Sequence, residues 1–194
     1  MVMAATCSLW ADFKIMAGVD LAKYHVVPRE SNINWQYKLG FLGGIGLGKN
    51  LTDKMLLELN ILFFQKGSTA RQSLVEIGDV TWKYRLNVIS LPLLLRNKLK
   101  EGSSPYFVGG IALSSILSHT EKFSDQEPID VKDNTATFDF SLVLGGGYEI
   151  QLQEDLFFFL EGRYSLGFTN IIISPLPEQV WKTRTFFILI GVRS

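Results

Sequence analysis

The sequence predicts an all-β protein, an eight-stranded antiparallel up-and-down transmembrane β-barrel. Three observations carry that expectation. Apolar and polar residues alternate with period two along nearly the whole chain, no helical stretch interrupts them, and the connections run long, short, long, short to the end. The clearest alternation is Leu57-Glu58-Leu59-Asn60-Ile61-Leu62-Phe63. In 137–150, Phe138, Phe140, Leu142, Leu144 and Tyr148 share one face, and Asp139, Ser141, Gly145, Gly147 and Glu149 share the other. Successive side chains of a strand point to opposite faces, so this pattern marks strands with one greasy and one polar surface.

Taken in order, the predicted strands are 12–22, 37–48, 55–66, 82–97, 106–117, 137–150, 156–168 and 183–193. In the first, Phe13, Ile15, Ala17, Val19 and Leu21 oppose Lys14, Met16, Gly18 and Asp20. The second sets Tyr37, Leu39, Phe41, Ile45 and Leu47 against Lys38 and a row of glycines. The fourth is the least regular, because Pro92 lacks a ladder donor, and a bulge or shift is expected there. The short connections are 49–54, 98–104 and 151–155; the long ones are 23–36, 67–81, 118–136 and 169–182. Even strand number, short turns on one side and long loops on the other describe a barrel that crosses an outer membrane, with both termini on the short-turn side.

Composition agrees. The chain has 194 residues, enough for one domain with a full interior, read as 12–194. Lysine and arginine total 19, as do aspartate and glutamate, so no basic excess points to nucleic acid. Hydrophobic residues make up 47% and the mean hydropathy is +0.17, yet no run of 18 apolar residues exists to form a spanning helix. Residues 1–11 are apolar, short and without a basic start, and read as a signal-peptide remnant or a disordered N-terminus. The stretch Ala4-Ala5-Thr6-Cys7 lacks the aliphatic residue of a lipid-modified cysteine. One cysteine and two separated histidines give no metal site. No cofactor is predicted either, since the glycines of 43–48 lie in a strand and relieve crowding instead of cradling phosphate.

Which face is greasy toward what decides the biology. An eight-stranded ring holds little beyond its own side chains, and the large Phe and Leu residues overfill it. Placed outward they meet lipid, and Lys38, Glu58, Lys66, Arg96, Asp139, Glu161 and Arg163 fall inside as a polar network that fills the lumen. Tyr24, Trp35, Trp82, Phe168 and Trp181 fall at strand ends near the long loops, where amphipathic rings sit at a membrane interface. Two catalytic readings compete with this structural one. Glu58 and Glu161 form a carboxylate pair for acid–base work, although arginines beside them hold them ionised. His119, with Ser115 or Ser118 and Asp125, has the residue types of a triad, and His25 is the other histidine. The inverted arrangement, apolar face inward, describes a soluble lipocalin-like carrier.

Four segments resemble one family. Leu59 to Ser68, with Gln65-Lys66-Gly67, is similar to the strand-to-loop segment of PorT-like outer-membrane β-barrel proteins. Leu91-Pro92-Leu93-Leu94-Leu95-Arg96 resembles that family's aliphatic–Pro–Leu–Leu–Leu–basic strand, and Pro105-Tyr106-Phe107-Val108-Gly109-Gly110 its Pro-Tyr strand start. Glu161 to Asn170 resembles its Arg-Tyr-x-x-Gly-Leu-Thr-Asn segment. The resemblance implies an eight-stranded barrel in the outer membrane of Gram-negative bacteria, without enzymatic activity for most members and with a link to protein secretion for a few. The partners expected are outer-membrane lipid and, through loops 23–36, 67–81, 118–136 and 169–182, another protein. One departure is the ending Gly191-Val192-Arg193-Ser194, where such barrels commonly end in an aromatic. Either the C-terminus is cut short or Phe186 and Phe187 take over that role.

Overall fold

The computed structural model describes residues 12–28, 33–74, 78–124, 126–173 and 179–194; the N-terminal segment 1–11 lies outside them. Eight strands carry the fold: β1 (Asp12–Val27), β2 (Ile33–Asn50), β3 (Met55–Leu74), β4 (Gly78–Lys98), β5 (Ser104–Phe123), β6 (Phe138–Gln153), β7 (Leu156–Gly167) and β8 (Val180–Arg193). Each pairs antiparallel with its sequence neighbours, and β1 pairs with β8 from Lys14↔Arg193 to Val27↔Val180. The ring is therefore closed, which leaves no strand edge for lipid to meet unsatisfied. The start of β1 meets the C-terminal residue at the short-turn side, where Phe13 and Ser194 exchange backbone hydrogen bonds of 3.0 and 2.9 Å. In the tight β4–β5 connection Gly102 takes φ +69°, a conformation that favours a residue without Cβ.

The greasy face points outward. Phe41 is 70% exposed, Phe107 64% and Leu39 59%, while Lys14, Glu58, Arg96, Glu161 and Arg163 are buried inside the ring. This overturns the soluble-carrier alternative, which requires the reverse. Large outward residues on every strand make a continuous apolar belt, and the inward glycines admit neighbouring walls. A Cβ on Gly44 would stand 2.1 Å from the Ile61 carbonyl oxygen, and one on Gly110 2.1 Å from that of Leu93.

Two features depart from the sequence expectation. First, the strands overrun the apolar pattern at the long-loop end. Segment 67–81 is mostly hairpin, with Ser68↔Tyr84 through Leu74↔Gly78 in register, and β5 continues to Phe123. A two-residue strand, Ile129–Asp130, adds to β5 at Thr120 and Glu121, and a short 3-10 turn follows at Lys132–Asn134. Second, the register shifts do not fall at Pro92. The β4–β5 ladder runs through Pro92↔Ala112, and the pairing with β3 skips from Leu59↔Leu93 to Leu62↔Ser90 without changing register. The shifts lie instead between Tyr37 and Leu42 on β2, between Asn87 and Val88 against β5, where Ile116 and Ser118 are paired and Leu117 is extra, and between Gln151 and Gln153 on β6.

A closed wall of this kind keeps its shape in mild SDS until heated, so unboiled and boiled samples are expected to migrate differently on a gel. Gly44→Val or Gly110→Val is expected to cost about 1–3 kcal/mol by overpacking, read as a lower urea midpoint in lipid vesicles; an unchanged midpoint would contradict the close approach.

Candidate functional site

The interior is layered. Nearest the short turns, Arg96 from β4 is 1% exposed and reaches three carboxylates: Nε lies 2.6 Å from Glu58, Nη1 3.0 Å from Glu149 and Nη2 3.2 Å from Glu161. Lys14 from β1 sits 2.9 Å from Glu58, Arg163 pairs with Glu161, and the Tyr106 hydroxyl donates to Glu161 at 2.8 Å. Arg193 bridges Glu149 and Asp12 at 3.4 and 2.8 Å. The guanidinium of Arg96 also lies 3.9 Å over the Tyr106 ring. The predicted members Glu58, Arg96, Glu161 and Arg163 thus come together, and Lys14, Glu149 and Arg193 join them.

Lys66 does not reach this cluster. It forms a separate layer with Asp139 at 3.0 Å, where Thr183 donates to Asp139 at 2.7 Å. Between the layers, the rings of Phe64 and Phe187 pack edge to face at 5.2 Å. The cavity left beside them is about 20 Å³, room for one water and not a passage. Lys38 stands apart, donating to the Tyr84 carbonyl at 3.0 Å. Asp20, fully buried on β1, has no hydrogen-bond partner among the described residues.

The outer mouth is aromatic. Tyr24, Trp35, Tyr84 and Trp181 turn inward with ring centroids 4.9–5.8 Å apart. Tyr24 is 3% exposed, so it is an interior residue and not the membrane-interface ring its position suggested. Trp35 and Trp181 are likewise packed on the interior cluster, as is Trp82, which contacts Phe123 at 5.4 Å. Of the five, Phe168 alone is a large outward ring, 50% exposed. The bulges explain part of this. Strict alternation from the inward Lys38 would send Trp35 outward, and strict alternation from the inward Ile116 would do the same to His119. One residue of shift on β2 and one on β5 reverse both.

His119 is fully buried. The Thr135 hydroxyl donates to the Val131 carbonyl at 2.8 Å, so its oxygen accepts from Nδ1–H of His119 at 2.8 Å. Nε2 then accepts from the Tyr24 hydroxyl at 3.2 Å, which makes the ring neutral. The predicted serine partners are elsewhere: Ser118 accepts from Asn87 at 2.8 Å, and no hydrogen bond joins Ser115 to the ring. His25 is exposed on the outer face, and Asp125 lies outside the described residues. Among the described residues no triad is assembled around His119. Beside it, Tyr84, His119, Glu121, Asn134, Asn170 and Trp181 help line a cleft of about 390 Å³ that opens at the long-loop end. Sequence alternation had no means of finding it, because its walls come from strand extensions and two connections.

Removing one partner of a buried pair strands the other, at about 3–5 kcal/mol. Arg96→Met, which leaves three carboxylates without their shared cation, is expected to lower the urea midpoint far more than the paired replacement Lys66→Met with Asp139→Leu. Equal midpoints would remove Arg96 from the centre of the interior.

The comparisons agree with this geometry. The description "outer membrane protein beta-barrel domain" matches residues 11–172. Among solved structures, OprG from Pseudomonas aeruginosa is similar with a TM-score of 0.56 and 15% identity, over 95% of each chain. Neisserial surface protein A is similar with a TM-score of 0.53 and 13% identity, over 94% of this chain and 97% of that one. No protein of curated function matches the sequence. At such identities the two structures speak for the fold, and the family match covers most of the chain. With its closed ring, apolar belt and filled lumen, the chain belongs to the outer membrane protein β-barrel domain family and resides in the bacterial outer membrane.

Proposed function

We propose that the protein is a non-catalytic interaction barrel that meets a partner through its long-connection end. The observation that carries this reading is the contrast between a lumen closed by stacked layers and a mouth that holds an open cleft. Loops on a rigid scaffold carry recognition because they change without disturbing the wall. Here segments 118–136 and 169–182 are tied to each other, with Thr135 bridged to Ile172 and Ala136 N–H donating to the Ile171 carbonyl at 2.9 Å. Beside that tie they present Ile129 and Ile173, 60% and 64% exposed, to the outside. Within the family, the segments around Gln65-Lys66-Gly67 and Arg163-Tyr164 support a PorT-like placement, for which the partner would belong to protein secretion.

Photocrosslinkers placed at Ile129 and Ile173 in cells are expected to give discrete protein adducts, and one at Asp53 in a short turn is expected to give none. Adducts from the short turn alone would refute the reading, and the mass of a loop adduct tests the secretion link. In vesicles, the purified barrel is expected to pass no small sugars; solute flux would replace the filled lumen with a channel.

A further inference from the structure

The outer wall carries its cations unevenly. Just beyond Leu21, Phe186, Ile89 and Leu117 on β1, β8, β4 and β5, the outward positions hold Lys23, Lys182, Arg184, Lys83, Arg85 and Lys122. Two of these sets are cross-strand pairs of like charge. Lys23 is opposite Arg184, and Lys83 is opposite Lys122. His25 is opposite Lys182. Across 23–27, 81–87, 118–123 and 180–184 the sole carboxylate is Glu121, and it turns inward to accept from the Tyr84 hydroxyl at 3.2 Å. None of the six cations has an ion pair among the described residues. The short-turn end is different, with Asp53 beside Lys54, Lys100 beside Glu101, and Glu154 with Asp155.

Like charges directly opposite in a sheet have Cβ atoms about 4.5–5.5 Å apart and destabilise it. Two such pairs on one rim, neither with an ion pair to a carboxylate among the described residues, are open to an anion from outside the chain. The apolar belt fixes what that anion is. Immediately above a hydrocarbon-facing surface lies the headgroup layer, and its anions are phosphates, whose several oxygens bridge two cations at that spacing. Lys23 also rests 4.5 Å over the ring of Tyr37, which holds its ammonium at the wall instead of in bulk water.

We propose that this basic collar binds the phosphate groups of outer-leaflet lipid, with one site at Lys23–Arg184 and one at Lys83–Lys122. The collar is separate from the cleft and independent of the partner reading. It rests on the long-connection end facing outward, which protease access on intact cells measures by itself. The test uses the full chain folded in zwitterionic detergent, titrated with a bisphosphorylated acyl glycolipid, its dephosphorylated form, and inorganic phosphate. Binding is followed by native mass spectrometry and by the temperature at which the boiling-dependent gel shift is lost. The expected result is that the phosphorylated lipid binds and raises that temperature, while its dephosphorylated form and inorganic phosphate at equal concentration do not. Lys23→Gln with Arg184→Gln is expected to weaken binding at that site roughly thirtyfold and to leave the Lys83–Lys122 site unchanged. Without lipid, this variant should keep its gel shift at the same temperature or higher, since it loses a repulsion. Equal binding of the dephosphorylated lipid, undiminished binding by the variant with both pairs neutralised, or equal protection by inorganic phosphate would overturn the proposal.

Discussion

A closed eight-stranded wall has room inside for side chains and almost nothing else, and its greasy surface is committed to lipid. Polar groups at the inward positions therefore depend on one another for partners, and Asp20 is one that finds none among the described residues. Arg96 meets that requirement at one end of the lumen, where a single guanidinium touches Glu58, Glu149 and Glu161, each from a different strand. With Lys14, Arg163 and Arg193 it links β1, β3, β4, β6, β7 and β8 across the ring. A slip of two residues on any of these strands would keep the same face inward but would break these contacts. The network therefore specifies register, which the outer belt, tolerant of any apolar residue, does not.

The same constraint shapes the mouth. Above the level of lipid the strands continue as hydrogen-bonded ribbon, since pairing needs no outward apolar face. Two bulges there turn Trp35 and His119 inward, and with Tyr24, Tyr84 and Trp181 they form an aromatic floor beneath the cleft. The residues that carry the family resemblance have structural duties in the wall. Lys66 holds Asp139, Arg96 and Arg163 hold the carboxylates, and Gly67 has no Cβ where one would stand 2.2 Å from the Tyr84 carbonyl oxygen. The resemblance thus reports how the lumen is filled.

Alternation alone was enough to place Glu58, Asp139, Glu161 and Arg163 inside and Phe41, Phe63 and Phe140 outside, because a strand's two faces follow from its period. It ended the strands too early, since a period in hydropathy reports contact with lipid and stops where lipid stops; β3 runs eight residues beyond Lys66. It also misjudged the aromatics. Tyr24 sits where interface rings belong, yet parity on β1 places it with the inward Lys14 and Asp20, and it faces the lumen.

The sequence by itself determined that this chain is a barrel, which face meets lipid and which residue types fill the lumen, because those are consequences of local periodicity and of the volume a ring of eight strands encloses. Only the tertiary structure decided that Lys66 joins Asp139 instead of Glu58, that Lys14 and Glu149 complete the charge cluster, and that His119 bonds Thr135 and Tyr24 instead of a serine. Partners across a lumen depend on the stagger of strands around the whole ring, and one extra residue in a bulge reverses every side chain beyond it. Neither quantity is written in any single stretch of the chain.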